Sequence, residues 1–256
     1  MGGALLKGWL AKQSGPVVVI EPNPSPELRT LAKKKAIALV ASPAEVGPKK
    51  ISFCLVALKP QILKHEAPQL ARFAQSGALM ISVAAGTHTK LLFKAWGKKA
   101  RIVRAMPNTP GAIGHGISGL YAAPGTTEAD RKKAQSLLSA LGQTLWVAKE
   151  DLIDSVTAVS GSGPAYLFLM AEAMTEAGVA EGLPRDQAEK LARATIAGAG
   201  ALLANDPSPA SRLREAVTSP HGTTEAALQV LMGKDGLTPL MKRAIHAARK
   251  RAEELR

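Results

Sequence analysis

Short apolar runs rich in β-branched residues alternate with stretches of helical periodicity through residues 1–150. The runs are Val17–Ile20, Ile37–Val40, Ile51–Ala57, Ala78–Val83 and Arg101–Arg104. Uninterrupted apolar runs of this kind suit strands covered on both faces, and strands separated by helices pair in parallel through crossovers. The pattern therefore predicts a doubly wound parallel α/β sheet. Met1–Leu10 has apolar residues at helical spacing from its first turn, so the chain opens on a helix with no strand ahead of it. Ile117–Tyr121, a helix from Thr127 to Leu141 and Thr144–Val147 complete the predicted sheet.

Near residue 150 the β-branched runs stop, and Ala, Leu and Glu at helical spacing continue to the end. Helices are expected over Gly163–Ala180, Pro184–Ala204, Ser208–Ala216, Thr223–Met232 and Leu237–Leu255, with Leu183-Pro184 and Asp206-Pro207 as punctuation. The boundary divides the chain into 1–150, an α/β domain of the kind expected to bind a dinucleotide at its strand ends, and 151–256, a helical domain. Small residues in Ala197–Ala201 permit close helix contact, and so many small apolar positions predict that the helical half pairs with a second copy as a homodimer.

Composition excludes several classes. The formal net charge is +13, but the cations are scattered, as in Lys33-Lys34-Lys35 and Arg131-Lys132-Lys133, and aromatic residues make up only 4%. Base-stacking platforms are therefore not expected, and neither is a nucleic-acid partner. No uninterrupted apolar run reaches the roughly 18 residues of a membrane span, and the N-terminus has no signal-peptide pattern. The single Cys54 lies inside an apolar run and reads as a small buried hydrophobe, which fits a reducing cytoplasm and no metal site.

In a doubly wound sheet, ligands lie beyond the carboxyl ends of the strands. The runs here are followed by Ala57-Leu58-Lys59-Pro60, by Ala84-Ala85-Gly86-Thr87 and by Met106-Pro107-Asn108-Thr109-Pro110. Small residues let a planar ring approach the backbone, Lys59 offers a cation, and Asn108 an amide held between prolines. Glu21 stands where a carboxylate would receive a ribose 2′-hydroxyl, or is a solvated acid before a turn; Asn23, Ser25 and Arg29 nearby suit a 2′-phosphate.

The helical half carries two unusual turns. Ser219-Pro220-His221-Gly222-Thr223-Thr224 enters a helix, so unpaired N–H groups and hydroxyls share a small space that suits a carboxylate; the plainer reading makes Thr223 or Thr224 a helix cap. Ser160-Gly161-Ser162-Gly163-Pro164-Ala165-Tyr166 is the other, with Ser162 either a site residue or a cap.

The segments Leu58–Pro60, Ala84–Gly86, Met106–Pro110, DSVTAVSGSGPAY (154–166) and VTSPHGTTEAAL (217–228) together make the chain resemble pyrroline-5-carboxylate reductase along nearly its whole length. The resemblance implies reduction of 1-pyrroline-5-carboxylate to L-proline with NADPH or NADH. It also implies a Rossmann domain followed by an all-α dimerisation domain, with dimers that can assemble further. On this reading Ser219, Gly222, Thr223, Thr224 and Ser162 bind the substrate, and Thr224 is the hydrogen-bond partner or proton relay at the ring nitrogen. The coenzyme falls to Met1, Gly2, Glu21, Asn23, Ala57, Leu58, Lys59, Pro60, Ala84, Ala85, Gly86 and Asn108.

Two departures stand out. The family reads Gly-x-Gly-Asn-Met-Gly-Gly-Ala at its first strand-to-helix turn, and this chain starts at that methionine, which predicts a native chain that begins upstream. His221 stands where relatives usually carry glycine, either as a titratable donor beside the carboxylate turn or as a tolerated side chain in solvent. Two other functions compete: a β-hydroxyacid dehydrogenase, disfavoured because no lysine flanks the two turns, and a non-catalytic dimer binding proline or a similar acid.

Overall fold

Each of the five apolar runs, and each of the two later segments expected to complete the sheet, becomes a strand in the computed structural model, which describes residues 1–12, 15–47 and 51–255. These are β1 (Val18–Ile20), β2 (Ala38–Val40), β3 (Phe53–Val56), β4 (Leu79–Ser82), β5 (Arg101–Pro107), β6 (Gly116–Ala122) and β7 (Gly142–Trp146). The last five form one sheet in the order β3-β4-β5-β6-β7, while β1 and β2 form a separate parallel pair. Among the described residues no strand joins β1 to β3, and β1 is in consequence only half covered, with Val18 39% exposed, instead of buried on both faces.

The sheet is not parallel throughout. β3, β4 and β5 are parallel, β6 runs antiparallel to β5, and β7 is parallel to β6. The reason is the length of the β5–β6 connection, a single 3-10 turn at Thr109–Ile113. A parallel return needs about a dozen residues or more.

The preceding helices are α1 (Gly2–Ala11), α2 (Pro26–Lys33), α3 (Pro60–Glu66), α4 (Ala71–Gln75), α5 (Thr89–Trp96) and α6 (Glu128–Leu138). Alternation along the central strands divides the core between two faces. Met80 and Ile102 join Leu63, Phe73, Leu92 and Trp96 on one face, while Leu79, Ile81, Val103 and Ala105 join Leu5, Trp9 and Leu138 on the other. Helix α1 is held on its face by more than apolar burial: the Trp9 indole N–H donates to the Leu137 carbonyl at 2.8 Å, and its ring meets Phe53 edge-on at 5.4 Å. Thr127 and Asp130 close a capping box that starts α6.

Contacts divide the chain into two units, Met1–Gly161 with Arg249–Arg256, and Ser162–Ala248. The first therefore runs past residue 150. Helix α7 (Leu152–Val156) packs on β6, where Gly119 leaves room for Val156, and the π-helical turn Thr157–Gly161 continues over β5, where Gly161 meets the Met106 methyl. A side chain at Gly119 would collide with the branched Val156, whereas one at Gly161 would displace only the flexible Met106 methyl.

The second unit holds α8 (Gly163–Ala180), α9 (Arg185–Asn205), α10 (Ala210–Ala216), α11 (Thr223–Leu231) and most of α12 (Leu237–Glu254). Helices α8 and α9 pack through Gly178 and Ala188 and are tied by a bidentate Arg185–Glu176 pair. Leu167, Phe168 and Leu169 on α8, and Leu191, Leu202 and Leu203 on α9, remain more than half exposed in the single chain. That is the apolar face a second copy would cover. The last turn of α12 belongs to the first unit, where Ala252 is buried.

Candidate active site

Register places the candidate coenzyme loops together at the carboxyl ends of three neighbouring strands of the five-stranded sheet. Val56 aligns with Ser82, and Ser82 with Arg104, so the segments that follow β3, β4 and β5 leave the sheet side by side. After β3, Lys59 is the N-cap of α3 in extended conformation and Pro60 is its first residue. Gly2, at the start of α1, lies close enough to Ala57 that a Cβ there would be 3.0 Å from the Ala57 Cβ. Met1 is the N-cap of α1, and its carbonyl accepts from the Leu5 N–H at 3.1 Å. The first-turn N–H groups of α1 thus point out beside the β3 loop, where a helix offers its positive end to an anion.

After β4, Ala84 is buried, with its N–H directed to Ser82 Oγ at 3.4 Å. Gly86 sits at φ +66°, and the Leu255 carbonyl oxygen would be 2.9 Å from any Cβ there. Both the left-handed backbone and the close approach demand glycine. Leu58 and Ala85 are half-buried members of the same two loops. After β5, Asn108 caps the short 3-10 turn, and its Oδ1 accepts from the Ile117 N–H at 2.9 Å. The carbonyl end of this side chain is thereby committed to the fold, which leaves the NH2 end for a ligand.

The β1 end is more self-contained. Glu21 Oε1 accepts from the Asn23 N–H at 3.0 Å, Ser25 Oγ caps α2 by accepting from the Leu28 N–H, and Arg29 Nε donates to the Pro24 carbonyl. Glu21 and Asn23 are thus joined by a tight turn of their own.

In the other unit, the Ser219 carbonyl accepts from the Gly222 N–H at 3.0 Å, and His221 adopts φ +58°. The His221 N–H donates to Glu225 Oε2 at 2.7 Å. Gly222, not a threonine, is the N-cap of α11, and no side chain caps that helix. The expectation that Thr223 or Thr224 caps it is therefore corrected: both lie in the first turn. Among the described residues their hydroxyls and backbone N–H groups have no partner within the chain, as at any helix start without a side-chain cap, and the Glu225 carboxylate goes to the His221 N–H. Ser162 stands at the N-cap of α8 without making a side-chain cap bond.

One assembly escaped the sequence reading. Glu150, between β7 and α7, receives the Thr89 N–H (2.7 Å) and Arg104 Nη1 (2.7 Å) on Oε1, and the Thr89 hydroxyl (2.6 Å) on Oε2. Burial raises its pKa, yet the hydrogen bonds from Thr89 and Arg104 more than offset this and hold it below the usual carboxylate range. Arg104 is only 2% exposed. A cation in the middle of an apolar strand run was the available signal, since a buried arginine requires an anion.

The family model described as pyrroline-5-carboxylate reductase dimerisation matches residues 150–255. A pyrroline-5-carboxylate reductase from Pseudomonas aeruginosa is 40% identical over 255 residues, covering 98% of this chain and 92% of its own length. The one from Haemophilus influenzae is 38% identical over 255 residues, covering 99% and 91%. Among solved structures, a pyrroline-5-carboxylate reductase from Coxiella burnetii superposes with a TM-score of 0.89 at 35% identity, over 99% of this chain and 94% of that one. A pyrroline carboxylate reductase from Plasmodium falciparum with NADP bound gives 0.80 at 26% identity, over 100% and 94%.

Proposed function

Because this chain belongs to the pyrroline-5-carboxylate reductase family, we propose that it reduces the imine carbon of 1-pyrroline-5-carboxylate to give L-proline, the last step of proline biosynthesis. It is an NAD(P)-dependent oxidoreductase that works as a homodimer through its helical half. Whole-chain similarity to named reductases favours this reading over a β-hydroxyacid dehydrogenase or a non-catalytic acid-binding dimer.

The observation that carries the site assignment is the start of α11. Backbone N–H groups and the Thr223 and Thr224 hydroxyls project from one turn with no partner in the chain among the described residues. Such a group of donors fits a carboxylate at a helix N-terminus. Ser219, Gly222 and Thr223 hold the substrate acid, Ser162 adds a hydroxyl, and Thr224 is the hydrogen-bond partner of the ring nitrogen. A hydroxyl can give a proton to the nitrogen as it becomes an amine, so neither a metal nor a protein nucleophile is required.

NADPH or NADH, when bound, supplies the hydride. The residues present fit a dinucleotide: the free N-terminal turn of α1 with Met1 and Gly2, and the small-residue loops Ala57–Pro60 and Ala84–Gly86. The Asn108 amide adds an orienting donor, while Glu21 and Asn23 serve the ribose. The chain's own contribution is placement, since hydride transfer in general requires reacting atoms roughly 3–3.5 Å apart. Residues 1–150 bind the coenzyme, and 151–256 supply the substrate turns and the dimer contact. Among the described residues no helix is long and apolar enough to cross a membrane. A cytoplasmic location is part of the proposal, supported by the free thiol of Cys54.

Following the oxidation of NADPH and of NADH in the presence of 1-pyrroline-5-carboxylate tests the function. Substrate-dependent oxidation of one of them, with L-proline as product, is expected; its absence with both overturns the reading.

A further inference from the structure

We propose that Glu150 is a positioning residue for the coenzyme, fixing the far end of the Ala84–Thr87 loop through Thr89 while bracing β5 through Arg104. The inference rests on the coenzyme assignment made above, and nothing in that assignment uses Glu150, Thr89 or Arg104.

The loop between β4 and α5 is short, and its two ends are held differently. Its near end is fixed by the sheet, where the Val83 N–H donates to the Val56 carbonyl at 3.1 Å. Its far end is the start of α5, whose N-cap His88 makes no side-chain cap bond. The missing cap comes from 61 positions away in sequence, because Glu150 accepts both the N–H and the hydroxyl of Thr89. A carboxylate receiving a first-turn N–H also gains from the positive end of the helix.

The same carboxylate oxygen that takes the Thr89 N–H takes Arg104 Nη1. Arg104 stands opposite Ser82, the last residue of β4, and four positions before Asn108 on the strand that presents it. One part-buried anion therefore ties together two of the segments assigned to the coenzyme. Neighbouring groups add to the knot without replacing it. His88 Nδ1 lies 3.6 Å from Glu150 Oε1, and His88, Asp151 and Asp154 bring their ligand-type atoms within 4.8 Å of one another.

Removing the anion leaves a buried guanidinium uncompensated, so Glu150→Gln risks general destabilisation. Thr89→Val removes only the hydroxyl contact and leaves the ion pair intact; Thr89→Ser restores the hydroxyl. Asp130→Asn is the control, since Asp130 makes another part-buried pair, with Arg101, on α6. The readout is the dissociation constant for NADPH and for NADH by calorimetry on the whole chain, accompanied by Tm and, where turnover occurs, by KM and kcat.

The expected result is a roughly tenfold weaker coenzyme affinity for Thr89→Val and for any folded Glu150→Gln, with Thr89→Ser close to the parent. The KM for pyrroline-5-carboxylate stays unchanged, and Asp130→Asn loses Tm without losing coenzyme affinity. Unaltered affinity in Thr89→Val, or an equal loss in Asp130→Asn, overturns the inference. A parent chain that binds coenzyme without turning over sinks the assigned reaction and leaves the positioning role to be decided by these affinities. A parent chain that binds neither nucleotide overturns both.

Discussion

The backbone N–H of His221 donates to Glu225 Oε2 at 2.7 Å, closing the turn ahead of α11 from inside the first turn of that helix. This bond is made with His221 at φ +58°, a conformation that costs an L-residue with a Cβ about 1 kcal/mol or more. The imidazole occupies a position whose backbone suits glycine.

His221→Gly is therefore expected to stabilise the protein by about 1 kcal/mol, raising Tm by roughly 2–4 °C for a chain of this size. The pH dependence of turnover should be the same in parent and variant. A thermal melt and a pH–rate profile check the two statements, and a displaced profile would give the imidazole a role in the site.

Thr224→Ala should lower kcat/KM by about a hundredfold, the usual contribution of one placed proton donor. Thr224→Ser, which keeps the hydroxyl, should recover most of that loss. Steady-state kinetics with all three chains decide it; equal rates in Thr224→Ala and the parent would remove Thr224 from the chemistry.

Gly142 has φ +125°, and a Cβ there would overlap the Gly116 carbonyl oxygen across the β6–β7 pair. Gly142→Ala should destabilise by about 3–5 kcal/mol, combining backbone strain with a steric collision that has no flexible side chain to absorb it. Chemical denaturation measures this, and a loss under 1 kcal/mol would mean the strand pairing relaxes freely.

Acid should unfold the protein partly through Glu150 and Asp130. Burial pushes the Asp130 carboxyl up, but Thr127 and Arg101 outweigh it, and both acids are held below their ordinary values. Their contribution is complete above the unfolded values of about 4.3 for Glu and 3.9 for Asp, and is lost as pH falls through the lower folded values. Circular dichroism between about pH 5 and 2 should show a shallower acid dependence in Glu150→Gln and in Asp130→Asn. Parallel curves would contradict it.

Cys54 is half-buried as a residue, yet burial pushes its thiol up to about 12. Against a free-thiol value of about 8.5, the folded chain should react with a thiol reagent at pH 8 at least a hundredfold more slowly than the unfolded chain. Comparing labelling rates with and without denaturant tests this, and similar rates would place the thiol in solvent.

The sequence by itself determined the element types and pointed to the segments proposed to bear the site. Period-2 and continuous apolar runs specify strands, period-3.6 patterns specify helices, and the turns around 108, 162 and 222 announce themselves through Gly, Pro and hydroxyl residues whose local conformations depend on few neighbours. Only the tertiary structure decided that β6 runs antiparallel to β5, that β1 and β2 stand apart as a sheet of their own, and that the first unit continues to Gly161. It alone joined Glu150 to Thr89 and Arg104, positions 61 and 46 apart. Nothing local dictates such a pairing, because a buried charge takes whichever opposite charge the packing brings within reach.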